Sequence, residues 1–367
     1  MKQKKVVIGM SGGVDSSVAA SLLQRAGYEV IALFMKNWEE ETGACTAKDD
    51  YEDVARVCDR LQIPFYTVNF VKEYWESVFN KCLEEYQKGL TPNPDILCNR
   101  EIKFKCFFEK AKSLGVDCVA TGHYARIEKR GTGLSLLKGK DPGKDQSYFL
   151  YTLNKALFND ILFPIGAYHK EEVRAIAKDL GLSTAEKKDS TGLCFIGEQP
   201  FKPFLQKFIP KTPGNFETGT GEVVGRHEGI AFYTIGQRKG LGIGGPGSAW
   251  YVVGKDVARN VVIVEQGASH QSLFHRALSV KELHWIEEDL QFPLVCRAKI
   301  RYRQKDQACQ VFLKENHLAY VSFELAQRVI TPSQAIVFYD GEVCLGGGKI
   351  QSPLECVDES NFHSMSS

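Results

Sequence analysis

The run Val6-Val7-Ile8-Gly9-Met10 leads directly into Ser11-Gly12-Gly13-Val14-Asp15-Ser16-Ser17, and this junction constrains the fold more than any other stretch. Five successive apolar residues suit a strand buried on both faces, as in a parallel sheet. Beyond the turn, Val18, Ala19, Leu22, Leu23 and Ala26 recur at helical spacing, and Gly27 ends the helix. Paired glycines between strand and helix let successive backbone N–H groups converge on an anion, which the helix dipole also favours. Ser11, Ser16 and Ser17 can add hydroxyl donors, and Asp15 is placed to hold Mg²⁺ or to cap the helix. Nothing reads G-x-x-x-x-G-K-[ST], so this is not a loop for passing on a γ-phosphoryl group in the P-loop manner. A plain glycine turn capped by Asp15 or Ser16 is the blander alternative.

The alternation continues. Val30 to Phe34, Phe65 to Phe70 and Cys118 to Thr121 read as strands; residues 50–61, 74–88 and 99–113 read as helices. Thr91-Pro92-Asn93-Pro94-Asp95 reads as a loop because of its two prolines. Residues 169–180 form an amphipathic helix, with Val173, Ile176, Ala177 and Leu180 on one face. From about residue 204 the texture shifts to glycine clusters and short β-rich runs such as Trp250 to Val253 and Val261 to Val264. The expected class is α/β. A doubly wound parallel-sheet domain with a helical insertion (1–203) precedes a small β-rich adaptor domain (204–272) and a C-terminal β-barrel domain (273–367).

Composition removes several classes. With 367 residues, 43% hydrophobic and 25% charged, the chain is globular and long enough for two or three domains. No apolar stretch reaches membrane-span length, and the run after the basic start is too short for a signal-peptide core, so a cytoplasmic protein with no membrane partner is expected. A net charge of +1 means that a polyanion must meet a local patch. The 11 cysteines contain no C-x-x-C, which disfavours a zinc site, and no bound metal is expected in the protein itself.

Most of these thiols, Cys45, Cys58, Cys82, Cys106, Cys118, Cys296, Cys309, Cys344 and Cys356, read as buried filler. Cys98 follows Asn93-Pro94-Asp95 and precedes a predicted helix carrying Lys103 and Lys105, a setting that favours thiolate. Cys194 lies in Asp189-Ser190-Thr191-Gly192-Leu193-Cys194-Phe195-Ile196-Gly197, which lacks periodicity and reads as a mobile loop. His123, after a buried strand, reads as structural on its own, although ligands collect at that end of a parallel sheet. In Arg297-Ala298-Lys299-Ile300-Arg301-Tyr302-Arg303-Gln304-Lys305 every odd position is cationic, so a strand here would line five charges along one face for phosphate. A charged face guarding an edge strand is the alternative.

The Ser-Gly-Gly-x-Asp-Ser loop resembles that of the PP-loop ATP pyrophosphatases. Further motifs are Asn93-Pro94-Asp95 with Cys98-Asn99, Ala120-Thr121-Gly122-His123-Tyr124, Lys144-Asp145-Gln146-Ser147-Tyr148-Phe149, the Cys194 segment, Thr234-Ile235-Gly236-Gln237-Arg238 and Arg301-Tyr302. Together they resemble, in order and over essentially the whole chain, the bacterial tRNA-specific 2-thiouridylases. The resemblance implies ATP-dependent sulfur transfer to the wobble uridine of tRNA. It implies that Cys194 carries a persulfide, that Cys98 is its catalytic partner, and that Asp95 is an acid/base at the target base. It assigns ATP to Gly9, Met10, Ser11, Gly12, Gly13, Val14, Asp15, Ser16, Met35 and Gly122, and the target base to Asn93, Pro94 and Asp95. It assigns tRNA contacts to His123, Lys144, Asp145, Gln146, Arg301, Tyr302 and Gln334. ATP and Mg²⁺, a persulfide-donating sulfur-relay protein or desulfurase, and a monomer are implied with it. Two rivals remain: a PP-loop synthetase that uses ammonia and needs no thiol pair, and an RNA-binding adaptor with a vestigial nucleotide site.

Overall fold

The computed structural model describes residues 3–39, 47–189, 200–314 and 317–357. The first seven strands are β1 (Lys5–Met10), β2 (Glu29–Lys36), β3 (Phe65–Asn69), β4 (Cys118–Ala120), β5 (Ala125–Arg130), β6 (Gly133–Lys138) and β7 (Ile161–Leu162). Five of them form a parallel sheet in the order β3-β2-β1-β4-β7, so the chain runs outward on both sides of β1 as a doubly wound sheet does. Val6, Val7 and Ile8 are fully buried because both faces of β1 are covered. On one face lie the helix Val14–Arg25, the helix Ala47–Leu61 and the helix Lys170–Asp179; on the other lie helices over residues 71–87 and 94–112. Period-2 alternation divides β2 between them: Phe34 enters the first layer, whereas Leu33 and Met35 enter the second, which also buries Cys98.

The helix expected from Asn99 begins at Pro94. Proline lacks the N–H that a first-turn position leaves unused, so the second proline of the 91–95 segment starts the helix instead of forbidding it. Asn93 caps it, accepting from the Ile96 N–H at 3.4 Å. Cys98 therefore sits one turn inside the helix, at the start of a stretch wound as π-helix, Cys98–Phe107. Such winding is uncommon and often accompanies functional positions.

The middle region carries β8 (Gly214–Glu217), β9 (Val223–His227), β10 (Trp250–Asp256) and β11 (Val261–Gln266) in a sheet ordered β10-β11-β8-β9. The last region carries β12 (Phe274–Trp285), β13 (Leu294–Lys299), β14 (Gln307–Lys314), β15 (Leu318–Arg328), β16 (Ala335–Asp340) and β17 (Val343–Leu354). These six pair antiparallel in a ring, and β12 meets β17 to close the barrel. The β5–β6 hairpin from the first third of the chain joins this barrel sheet, Leu137 standing opposite Val343 of β17. Arg126 pairs with Glu342 at 3.0 Å, and the Lys138 ammonium pairs with Asp306.

The alternating cationic run is not one strand face. β13 stops at Lys299, and Arg303 takes φ +63° in the loop that follows. Lys299 is buried against Asp145 at 3.1 Å and Asp306 at 3.7 Å, while Arg297, Arg301, Arg303 and Lys305 stay exposed. Among the thiols, Cys58, Cys82, Cys118, Cys296, Cys309 and Cys344 are buried as filler should be, with burial pushing Cys58 up to about 11 and Cys82 to about 12. Cys106 is half-buried and Cys356 exposed, which corrects the reading for those two. Cys45 lies outside the described residues.

Candidate active site

The phosphate loop is tightly constrained. Gly12 has φ +74°, and a Cβ there would sit 2.6 Å from the Asp50 carbonyl oxygen, so only glycine fits. The hydroxyls of Ser16 and Ser17 donate to the Gly13 carbonyl at 3.2 and 2.8 Å, and the Ser11 N–H donates to Ser16 Oγ at 3.2 Å. Ser17 is fully buried and serves the turn, leaving Ser11 as the exposed hydroxyl of the three. Gly122, just past β4, approaches the loop from the neighbouring strand: a Cβ on it would lie 2.8 Å from the Ser16 nitrogen. Met35 reaches Gly9 from β2, its Cε 3.2 Å from where a Gly9 Cβ would stand. The sequence-predicted nucleotide residues thus converge on the C-terminal edge of β1, β2 and β4.

Asp15 does not cap the helix; Gly13 occupies that position. Both Asp15 carboxylate oxygens accept from the Lys170 ammonium at 2.8 Å, and Oδ1 also accepts from the Tyr124 hydroxyl at 2.8 Å. Burial and the adjoining Asp15 charge raise the Tyr124 phenol far above its ordinary range, so it stays a donor. Lys170 also meets Asp189 at 2.8 Å, and Asp189 accepts from Lys144 at 2.5 Å and Arg174 at 2.9 Å. Burial pushes the Asp189 carboxyl up, but the hydrogen bonds and charges of Lys144 and Lys170 outweigh it and hold the group at about 2. Asp189 stands five residues before Cys194. Cys194 itself lies outside the described residues.

Lys170 and Arg174 are the members that motif reading missed, and Tyr124 stood in a quoted motif without a role of its own. Lys170 looks like an ordinary first-turn lysine of an amphipathic helix; its partner Asp15 is 155 residues away.

Cys98 is fully buried. The amide of its neighbour Asn99 donates to the Phe149 carbonyl at 3.4 Å, and the Phe149 ring lies 4.6 Å from that of Tyr302, over which Arg303 is poised at 5.3 Å. A series of touching side chains therefore links the exposed barrel loop to the turn holding Cys98. From the same barrel, Gln334 donates to the carbonyls of Thr91 and Pro92 at 2.8 and 3.2 Å, fixing the entry to Asn93, Pro94 and Asp95. In the middle domain, the Lys255 ammonium donates to the Gly89 carbonyl at 2.6 Å. All three regions thus position the 89–98 segment.

The remaining expected tRNA positions divide. Lys144 and Gln146 are part-exposed; Gln146 accepts from the Tyr124 N–H at 3.0 Å. Asp145 is buried, accepting from Gly139 and Ser147 N–H groups and pairing with Lys299. His123 is 7% exposed, bonded to Thr121 at 2.7 Å and flanked by Phe104 and Phe163. Burial, with the Lys103 charge, drives its pKa well below the ordinary histidine value, so it is neutral and supplies no cation.

Among the described residues no helix is long and apolar enough to cross a membrane. Family models described as tRNA methyl transferase HUP domain, tRNA methyl transferase PRC-barrel domain and aminomethyltransferase beta-barrel domain match residues 4–198, 202–266 and 275–350. A tRNA-specific 2-thiouridylase MnmA from Protochlamydia amoebophila is 56% identical over 96% of this chain and 94% of its own. The proteins of that name from Geobacillus thermodenitrificans and Listeria monocytogenes are each 54% identical over 95% of both chains. Identity at this level, sustained from one end to the other, shows that the chain belongs to the tRNA-specific 2-thiouridylase family.

Proposed function

We infer that this protein is a tRNA-uridine 2-sulfurtransferase that uses ATP to replace the C2 oxygen of the wobble uridine with sulfur. The observation that carries the reading is the ion network from Asp15 through Lys170 to Asp189. It ties the chain five residues before Cys194 to the phosphate loop, and five residues span at most about 17 Å. A sulfur carrier so tethered reaches chemistry that begins at the loop.

A uracil oxygen is a poor leaving group. Attack of that oxygen on the α-phosphorus of ATP, with pyrophosphate expelled, makes it an adenylate. The terminal sulfur of a Cys194 persulfide then attacks C2 and AMP departs. The Cys98 thiolate attacks the Cys194 sulfur, leaving the transferred sulfur on the base and a Cys98–Cys194 disulfide that a reductant reopens. In a variant, Cys98 first frees hydrosulfide, which attacks. Asp95 is the acid/base candidate at the base. The loop backbone and Ser11 would bind phosphates, and Lys170 holds Asp15 in place beside them. Mg²⁺, when bound, offsets the pyrophosphate charge. Asp15 is the loop's one carboxylate and is engaged by Lys170, and Mg²⁺ would enter on the phosphates of the nucleotide, as it ordinarily does in such sites.

Contacts of tRNA with Lys144, Gln146, Arg301, Tyr302 and Gln334, delivery of sulfur by a relay protein, action as a cytoplasmic monomer and division of the chain at 203/204 and 272/273 belong to the same reading. The test incubates the protein with ATP, Mg²⁺, a persulfide donor and unmodified tRNA. A thiolated nucleoside and one AMP per sulfur are expected, and C194S should lose both the product and the disulfide. Sulfur incorporation undiminished in C194S, or ADP as the spent nucleotide, would overturn it.

A further inference from the structure

Asn37 stands just past the end of β2, three residues beyond Phe34, which pairs with Met10 at the brink of the phosphate loop. Its side chain is 2% exposed, yet among the described residues neither Nδ2 nor Oδ1 has a hydrogen-bond partner. An amide so enclosed is ordinarily satisfied by its own fold, and an exception calls for an explanation such as a missing ligand or water. Its chain neighbours are firmly held. On one side Met35 is wedged against Gly9, and the Phe70 N–H donates to the Lys36 carbonyl at 2.8 Å. On the other, Trp38 is gripped by the rings of Tyr74, Trp75, Phe79, Phe204 and Phe208 at 4.9–6.3 Å. Met35 and Trp38 both pack in the layer that buries Cys98, not in the layer of the helix that follows the phosphate loop.

We propose that Asn37 is a specificity-determining residue that hydrogen-bonds the base edge of the uridine to be thiolated. The proposal rests on the reaction assigned above. A primary amide offers a donor and an acceptor side by side. Uracil presents the complementary pair, an N3–H next to a carbonyl oxygen. Recognition of a single unstacked base by such an edge is how proteins read RNA sequence. Its place between Met35 and Trp38, both packed in the layer that buries Cys98, at the edge of a parallel sheet where ligands bind, favours the reacting base over the adenine of ATP.

The decisive variant is N37L, which keeps the volume and removes both polar atoms. Because it also removes an unsatisfied buried group, its melting temperature should equal or exceed that of the wild type. Its kcat/KM for a tRNA with wobble uridine should fall about 10- to 100-fold, the range for losing one or two buried hydrogen bonds, with KM for ATP unchanged. In equilibrium binding, the wild type should prefer wobble uridine over an abasic wobble site, and N37L should bind the two alike. Unchanged kcat/KM in N37L would overturn the proposal and leave Asn37 to a bound water. A raised KM for ATP with base preference intact would also overturn it, in favour of adenine. If N37L does not fold, N37A takes the same assays. Failure of the wild type to thiolate would sink the assigned reaction, while the abasic comparison would still test Asn37.

Discussion

Replacing Gly122 by alanine isolates the coupling between β4 and the phosphate loop. The new Cβ would stand 2.8 Å from the Ser16 nitrogen, 2.9 Å from the Asp15 carbonyl carbon and 3.0 Å from the Ser16 Cα. All three are backbone atoms of the first helical turn, so no side chain can swing aside. Ordinary contact is about 3.5 Å, and the loop must retreat by roughly 0.7 Å to reach it. A displacement near 1 Å at a reacting centre costs about 100-fold in rate, so G122A should lower kcat/KM for ATP by roughly 10- to 100-fold. Overpacking adds about 1–3 kcal/mol of destabilisation, visible in urea unfolding. Gly122 does not have a positive φ, so the effect is steric and not conformational. G244A is the control: it too lacks a positive φ, and nothing lies within 4 Å of its Cβ position, so stability and turnover should hold. The assay is tRNA-dependent pyrophosphate release over a range of ATP concentrations. Wild-type kcat/KM in G122A would refute the claim that this close approach sets the loop's position.

K170M removes the shared cation of Asp15 and Asp189 and should cost about 3 kcal/mol in urea unfolding, the low end for a buried pair because each carboxylate is 32% exposed. Its ATP-dependent activity should fall as well, and wild-type stability would show the network to be idle. Asp189 has a depressed folded pKa of about 2 against an ordinary 3.8, so its contribution is fully present above pH 3.8 and lost as pH falls through 2. Thermal melts of wild type and D189N should therefore differ most above pH 4 and converge towards pH 2; a constant gap would contradict the pairing. Arg301 and Arg303 are exposed on the barrel loop, so the double alanine variant should weaken tRNA binding and flatten its salt dependence, by about one unit of slope for each phosphate no longer neutralised. An identical slope would return these arginines to a solubilising role.

Local signals in the chain carried much of the architecture. Uninterrupted apolar runs marked β1 and β4, and helical spacing marked Val14–Arg25 and Lys170–Asp179. The phosphate loop was legible because its chemistry is written in consecutive residues. What escaped depends on distance or on a choice between two valid local rules. Pro94 permits either a loop or a helix start, and the capping oxygen of Asn93 decides for the helix. The alternating cations from Arg297 onward satisfy strand periodicity, but Lys299 finds Asp145, 154 residues earlier, and turns inward. Lys170 and Asn37 carry no local mark: one is defined by a remote partner, the other by an amide that has none among the described residues.

The β5–β6 hairpin has a consequence for biosynthesis. Residues 125–138 leave the ribosome some two hundred residues before β17, the strand they adjoin, has been made. During that interval Leu136 and Leu137, fully buried in the finished protein, lack their native cover. A nascent chain halted before residue 343 should thus be a client for chaperones that bind apolar segments, and the barrel should be a late-closing clasp on the catalytic half and not an appendage to it.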